Sequence, residues 1–144
     1  MYAASPFRSP AATPLAAMYR QVGTSSEIDH ASPHRLVTML YDGLLESIAE
    51  ARGALAKRDI EAKGRAVGRA VRIVEEGLRG GLNRQQGGEL AGNLDALYAY
   101  VARRLTEANL RNDDAALAEC AGLVKPLRDA WLLIGKPDAP ATHA

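Results

Sequence analysis

Three histidines, one cysteine and a glycine-rich run are the residues here whose types could support chemistry. A di-metal site in a helical protein needs Glu and Glu-x-x-His residues turned inward. His30 and His34 flank a helix start and His143 lies in the tail, and none sits on an inward stripe with a carboxylate three residues away. Cys120 has no histidine at hand to generate a thiolate and falls on an apolar helix face, which reads as a buried structural thiol. Gly80, Gly81, Gly87 and Gly88 bracket G-L-N-R-Q-Q-G-G, but a phosphate-binding loop would end in Gly-Lys-Ser/Thr and follow a strand. This run reads as a helix-to-helix connection. The sequence therefore predicts no enzyme, no metal and no cofactor.

The elements that carry these residues are helical. Alanine and leucine are abundant, and one Trp, one Phe and five Tyr leave the core to aliphatics. Eighteen basic and seventeen acidic side chains are mixed along the 144 residues, a formal charge of +1. That argues against a nucleic-acid groove or a polybasic membrane anchor, both of which need clustered positive charge. One cysteine fits a reducing compartment, and the N-terminus lacks the basic start and apolar core of a secretory signal. With no apolar run of spanning length, the expectation is a soluble cytoplasmic protein.

Residues 1–31 read as a mobile segment holding a short helix at about 14–22, with Thr13 as N-cap, Pro14 at the first position, and Leu15, Met18, Tyr19 and Val22 at helical spacing. Such a short helix is marginal unless docked. Four longer patterns follow across 32–135. The first runs from the Ser32 cap and Pro33 to about Lys57. The second starts at the Asp59 cap, with Ile60, Val67, Val71, Val74, Leu78 and Leu82 on one stripe. The third covers about Gly88 to Leu110, with Leu90, Leu94, Leu97, Tyr98, Val101, Leu105 and Ala108 inward. The fourth is capped by Asn112, turns Leu117, Cys120, Ala121, Val124, Leu127 and Trp131 inward, and ends at Gly135 and Pro137. Pro126 should kink it near Gly122. Short links force antiparallel neighbours, so the fold class is all-α, an antiparallel up-down four-helix bundle with a short extra N-terminal helix and a flexible tail at 136–144.

The first helix is anomalous. Leu36, Leu40, Ala51, Leu44, Val37, Leu55, Ile48, Tyr41 and Leu45 spread across about half its circumference, wider than the stripe of a surface helix. Either the helix is central and touches several neighbours, or part of the arc is a groove for another protein's helix. Met39 falls about 60° outside the arc, on the solvent side, where a thioether suits a partner contact.

Three stretches then resemble the flagellin-specific export chaperone family, FliS: ASPHRL followed by MLYDG, the GGELAGNLxxLYxYxxRRLxEAN block, and the terminal AW. The resemblance runs in one register from about Tyr19 to Ile134, while the extension before Met18 is longer than the family usually carries. It implies a cytosolic bundle that binds the disordered C-terminal segment of flagellin, prevents premature polymerisation and delivers the subunit to a component of the flagellar type III export gate. It implies no cofactor and no ATP hydrolysis. Tyr19 and Val22 become candidates for a movable cover, and Leu36, Met39, Leu40 and Tyr41 for the groove, with Leu94, Leu97 and Tyr98 beside them. The competing reading is a structural or adaptor module that self-associates through the same broad face.

Overall fold

The computed structural model describes residues 31–134. The expected short helix at 14–22, with Tyr19 and Val22, lies outside the described residues, as do His30, His143 and the tail beyond Ile134. The described residues form four helices and no strand: α1 Pro33–Ala56, α2 Ile60–Arg72, α3 Arg84–Arg111 and α4 Asp114–Ile134. A π-helical stretch, Ile73–Arg79, continues α2.

Local chemistry sets the helix ends. Ser32 Oγ accepts from the Arg35 amide at 3.0 Å, and Pro33 fills the first position, where no donor is needed. Arg58 takes a left-handed conformation to turn the chain, and Asp59 Oδ1 then accepts from the Ala62 amide at 3.1 Å. Asn83 caps the first turn of α3, and Gly88 interrupts that helix with φ 58° and ψ −134°, a conformation reserved for glycine. The long helical run of α3 thus starts where the sequence predicts. Asn112, expected to cap α4, instead ends α3 in the left-handed region, with its N–H bonded to the Ala108 carbonyl. The α4 cap is Asp113, whose Oδ1 accepts from the Ala116 amide at 3.2 Å. Helical assignment continues through Pro126 to Ile134.

α1 packs on α2 and the π-helical stretch on one side and on α4 on the other, while α3 joins α2 to α4. This central position accounts for its wide arc: Leu36, Val37, Leu40, Tyr41, Leu44, Ile48 and Ala51 are all buried in one core with Val67, Val74, Leu78, Tyr98, Val101, Leu105, Leu117 and Val124. Met39 is not on the solvent side. It is 8% exposed, because every residue from Leu36 to Tyr41 is buried and the neighbouring flank at Gly43 is closed as well.

Two other inward placements fail at helix ends. Ile60, the first residue of α2, is 50% exposed, and Leu90, just past the Gly88 interruption of α3, is 55% exposed. Conversely, Lys63 is buried on the apolar stripe of α2. Its Nζ donates to the Asn109 carbonyl at 2.8 Å and to Asn109 Oδ1 at 2.7 Å, capping an end of α3 that has no further helical donors.

Candidate functional site: an apolar crevice between α3 and α4

Two stripes of leucine converge at one end of the molecule. At about 100° per residue, Leu90, Leu94, Leu97 and Val101 fall within about 60° of each other on α3. On α4, Leu123, Leu127, Ala130 and Ile134 do the same. Contacts between the helices identify these flanks as facing: Tyr100 and Arg104 both donate to Glu119, at 2.5 and 2.9 Å, and Cys120 Sγ lies 3.8 Å from the Val101 carbonyl. With only Asn112 and Asp113 linking the helices, that register carries Leu97 toward Leu123 and Leu94 toward Leu127.

Burial falls steadily along this seam. Val101, Tyr98, Cys120 and Val124 are buried at its floor, and Leu94, Leu97, Leu123 and Leu127 are partly buried against the core. Leu90 is 55% exposed, Ile134 71% exposed, and Ala130 is exposed. The helices therefore meet along an apolar seam, the candidate crevice, whose side chains grow more exposed away from their connection. From Leu123 to Ile134 the wall extends about 16 Å, roughly three helical turns. On that flank Leu123, Pro126, Leu127, Ala130, Leu133 and Ile134 bring no charge. Nearer the connection the seam is flanked by polar groups, where Arg104 bridges Glu119 and Glu107 at 2.9 and 2.8 Å. The Glu119 carboxyl is held below its usual range by the Tyr100 hydroxyl and then by Arg104.

The other flank of α4 is fixed to α1. The His34 and Trp131 rings stack with centroids 4.8 Å apart and planes 7° from parallel. Trp131 Nε1 donates to the His34 carbonyl at 3.0 Å, and His34 Nε2 donates to the Trp131 carbonyl at 2.6 Å. Arg128 adds a 3.0 Å bond to Asp42. These contacts hold the end of α4 in place while Ala130, Leu133 and Ile134 on its other flank are exposed. On the far side, Arg79 ties the π-helical stretch to α3 through Asp95 at 2.8 Å and to its own turn through Glu75 at 2.9 Å.

The candidate residues divide accordingly. Leu94 and Leu97 line the crevice. Leu36, Leu40, Tyr41 and Tyr98 are at most 2% exposed and belong to the core beneath it, as does Met39. Tyr41 and Tyr98 meet hydroxyl to hydroxyl at 2.6 Å, a buried pair joining α1 to α3. Burial pushes both phenols above their ordinary range, so they stay neutral. Leu90, Leu123, Ala130 and Ile134 were not singled out as contacts by sequence reasoning. Their only signal is the i, i+4, i+7, i+11 spacing on α4 and the apolar start of α3.

Chemistry is otherwise sparse. Burial pushes the Cys120 thiol up to about 11, the opposite of an activated nucleophile. Among the described residues, no group of three His, Cys, Asp or Glu side chains gathers as metal ligands, and no helix is long and apolar enough to cross a membrane. At the opposite end an open cleft is lined by Arg52, Gly53, Leu55, Ala56, Asn112 and Asp114. Its two charges neutralise each other through bonds of 2.8 and 3.1 Å.

Comparison with known proteins is consistent along the chain. The family described as Flagellar protein FliS matches residues 15–138. The flagellar secretion chaperone FliS of Salmonella typhimurium is 45% identical over 113 residues, 78% of this chain and 84% of that protein. The flagellar secretion chaperone FliSB of Pseudomonas aeruginosa is 44% identical over 113 residues, covering 78% of this chain and 89% of that protein. The FliS of Bacillus subtilis is 40% identical over 106 residues, 74% of this chain and 77% of that protein.

Proposed function

The chain belongs to the FliS family of flagellar secretion chaperones, and from that premise we propose that it binds the disordered C-terminal segment of flagellin in the cytosol. Binding keeps the subunit from polymerising early and holds it until it meets a component of the flagellar type III export gate. The observation that carries this reading is the apolar seam between α3 and α4, whose far-end residues Leu90, Ala130 and Ile134 are exposed and whose α4 side runs for about three turns of helix. An amphipathic helix laid there buries its apolar stripe against Leu90, Leu94, Leu97, Leu123, Leu127 and Ile134. Burial supplies about 25 cal/mol per Å² of apolar surface, and ordering a disordered segment offsets several kcal/mol of it. The balance suits a cargo that must later be released, and no catalytic step is needed.

The packing order of the helices, with α1 meeting α4 at both ends through Arg52–Asp114 and His34–Trp131, supports an antiparallel up-down bundle as the scaffold. In this reading residues 32–135 are the binding body, the segment before it carries Tyr19 and Val22 as a movable cover, and 136–144 is a tail. Leu36, Met39, Leu40, Tyr41 and Tyr98 act from beneath, by setting the spacing of the walls.

Titration calorimetry with a synthetic peptide of the cognate flagellin C-terminal segment tests the proposal. Saturable binding is expected, and the paired change Leu90→Asp and Ile134→Asp, at two exposed sites, should weaken it at least tenfold without unfolding the protein. Absence of peptide binding at high concentration, or a double variant that binds like the wild type, would refute it.

A further inference from the structure

The back of α3 carries a link that the crevice itself does not use. Asp95 lies between Leu94 and Leu97 in sequence, but about 100° to 160° round the helix axis from Leu90, Leu94 and Leu97. From that side its Oδ1 accepts from Arg79 Nε at 2.8 Å, and the Asp95 and Arg79 side chains are 18% and 29% exposed. Arg79 is fixed in turn by a second bond, to Glu75 at 2.9 Å. It ends the π-helical stretch, whose Ile73, Val74, Gly77 and Leu78 are buried. That winding is closely specified: the Gly80 N–H bonds to the Glu75 carbonyl five residues back at 3.0 Å, and a Cβ on Gly80 would stand 2.5 Å from the Glu76 carbonyl oxygen. Such winding is rare and frequently marks functional sites.

Upstream, α3 gives its leucine wall little support. Gly88 leaves the helical conformation, which uncouples the turn capped by Asn83 from Leu90, Leu94 and Leu97. With Lys63 on Asn109 and Arg79 on Asp95, α2 itself meets α3 nearer its C-terminal end, and the π-helical stretch meets it behind the wall. We propose that Arg79 is a positioning residue for partner binding: through Asp95 it fixes the rotation and spacing of the Leu90–Leu94–Leu97 wall. The inference rests on the crevice reading. A wall already in place binds more tightly, because less freedom is lost on association. A charge-assisted bond is directional and sets one position, whereas apolar contacts tolerate sliding. Being partly exposed, the pair adds only modestly to stability, so its loss is read in binding.

In the full chain, Arg79→Ala should weaken binding of the flagellin C-terminal peptide, read by fluorescence anisotropy, roughly three- to tenfold, the cost of re-ordering one or two wall side chains. Amide exchange over 89–97 should quicken. Asp95→Ala should weaken binding at least as much, and the double variant no more than Asp95→Ala. Asp95→Asn keeps an acceptor for Arg79 and should recover most of the affinity. Lys63→Met is the control for stability: it disturbs α3 at its other end and should melt lower while binding like the wild type. Wild-type affinity in Arg79→Ala, an Asp95→Asn no better than Asp95→Ala, or a Lys63→Met that binds as weakly as Arg79→Ala would each overturn the positioning role. The Leu90→Asp and Ile134→Asp pair separates the two levels. Peptide loss in that variant with an unaffected Arg79→Ala overturns the positioning role alone, while undiminished binding overturns the crevice reading itself.

Discussion

Replacing Tyr98 by Phe removes one oxygen, yet it should cost more than its size suggests. The Tyr41 and Tyr98 hydroxyls lie 2.6 Å apart, and their residues are 2% and 1% exposed. Deleting either leaves the other polar group buried without its partner, at about 1–3 kcal/mol. Deleting both leaves two phenylalanines in nearly the same volume, and that change should be close to neutral. The cycle Tyr41→Phe, Tyr98→Phe and the double variant should therefore be strongly non-additive, with a coupling of about 1–3 kcal/mol. Urea unfolding by circular dichroism reads all four corners, and unchanged slopes would show that only stability has moved. Single variants within about 0.5 kcal/mol of the wild type, or a double variant equal to the sum of the singles, would refute the buried pair. Water would then be reaching the hydroxyls.

Met39→Asp should lower stability by about 3–5 kcal/mol, because it places a carboxylate in the core without a partner; a melt within about 0.5 kcal/mol would return Met39 to the surface. Lys63→Met should cost about 1.5–3 kcal/mol in urea, since two bonds to Asn109 are lost from a charged donor, and Asn109→Ala should cost less because the carbonyl contact survives. Gly88→Ala forces a side chain into a glycine-only conformation, and a loss of about 1–3 kcal/mol is expected, with faster amide exchange over 84–87. The raised phenols of Tyr41 and Tyr98 predict a pH effect of definite sign. Their contribution is complete below the unfolded tyrosine value of about 10 and is lost as pH climbs toward their folded values. An ultraviolet titration should show them ionising only with unfolding, and early ionisation of all five tyrosines would contradict it.

Helix boundaries were legible where one residue type has one job. Ser32 with Pro33, Asp59, and the paired glycines ahead of α3 mark their turns without help from the rest of the chain. The Asn112–Asp113–Asp114 run was not decidable locally, because each of the three can cap a helix and Asn also tolerates the left-handed region. Packing chose Asn112 to end α3 and Asp113 to begin α4. Periodicity likewise placed Ile60 and Leu90 inward, since a stripe carries no information on how well the first turns of a helix are covered. Lys63 was invisible for the converse reason: its partner is the carbonyl end of another helix, which no pattern of side chains encodes.

The breadth of the α1 arc and the opening between α3 and α4 look alike in sequence, as leucines at helical spacing, yet they do different work. α1 is enclosed by α2 and α4, and its breadth is the signature of a central helix, not of a binding face. The residues proposed to meet a partner lie instead on α3 and α4, at the ends farthest from their connection. On the proposed reading, stability and recognition are drawn from different turns of α3 and α4. Tyr98, Val101, Cys120 and Val124 hold the floor, whereas Leu90, Ala130 and Ile134 contribute little to folding. Substitutions should separate along the same line, with floor variants losing fold and binding together and rim variants losing binding alone. A rim position whose loss unfolds the protein would mean that the crevice is closed by packing and is not open to a partner.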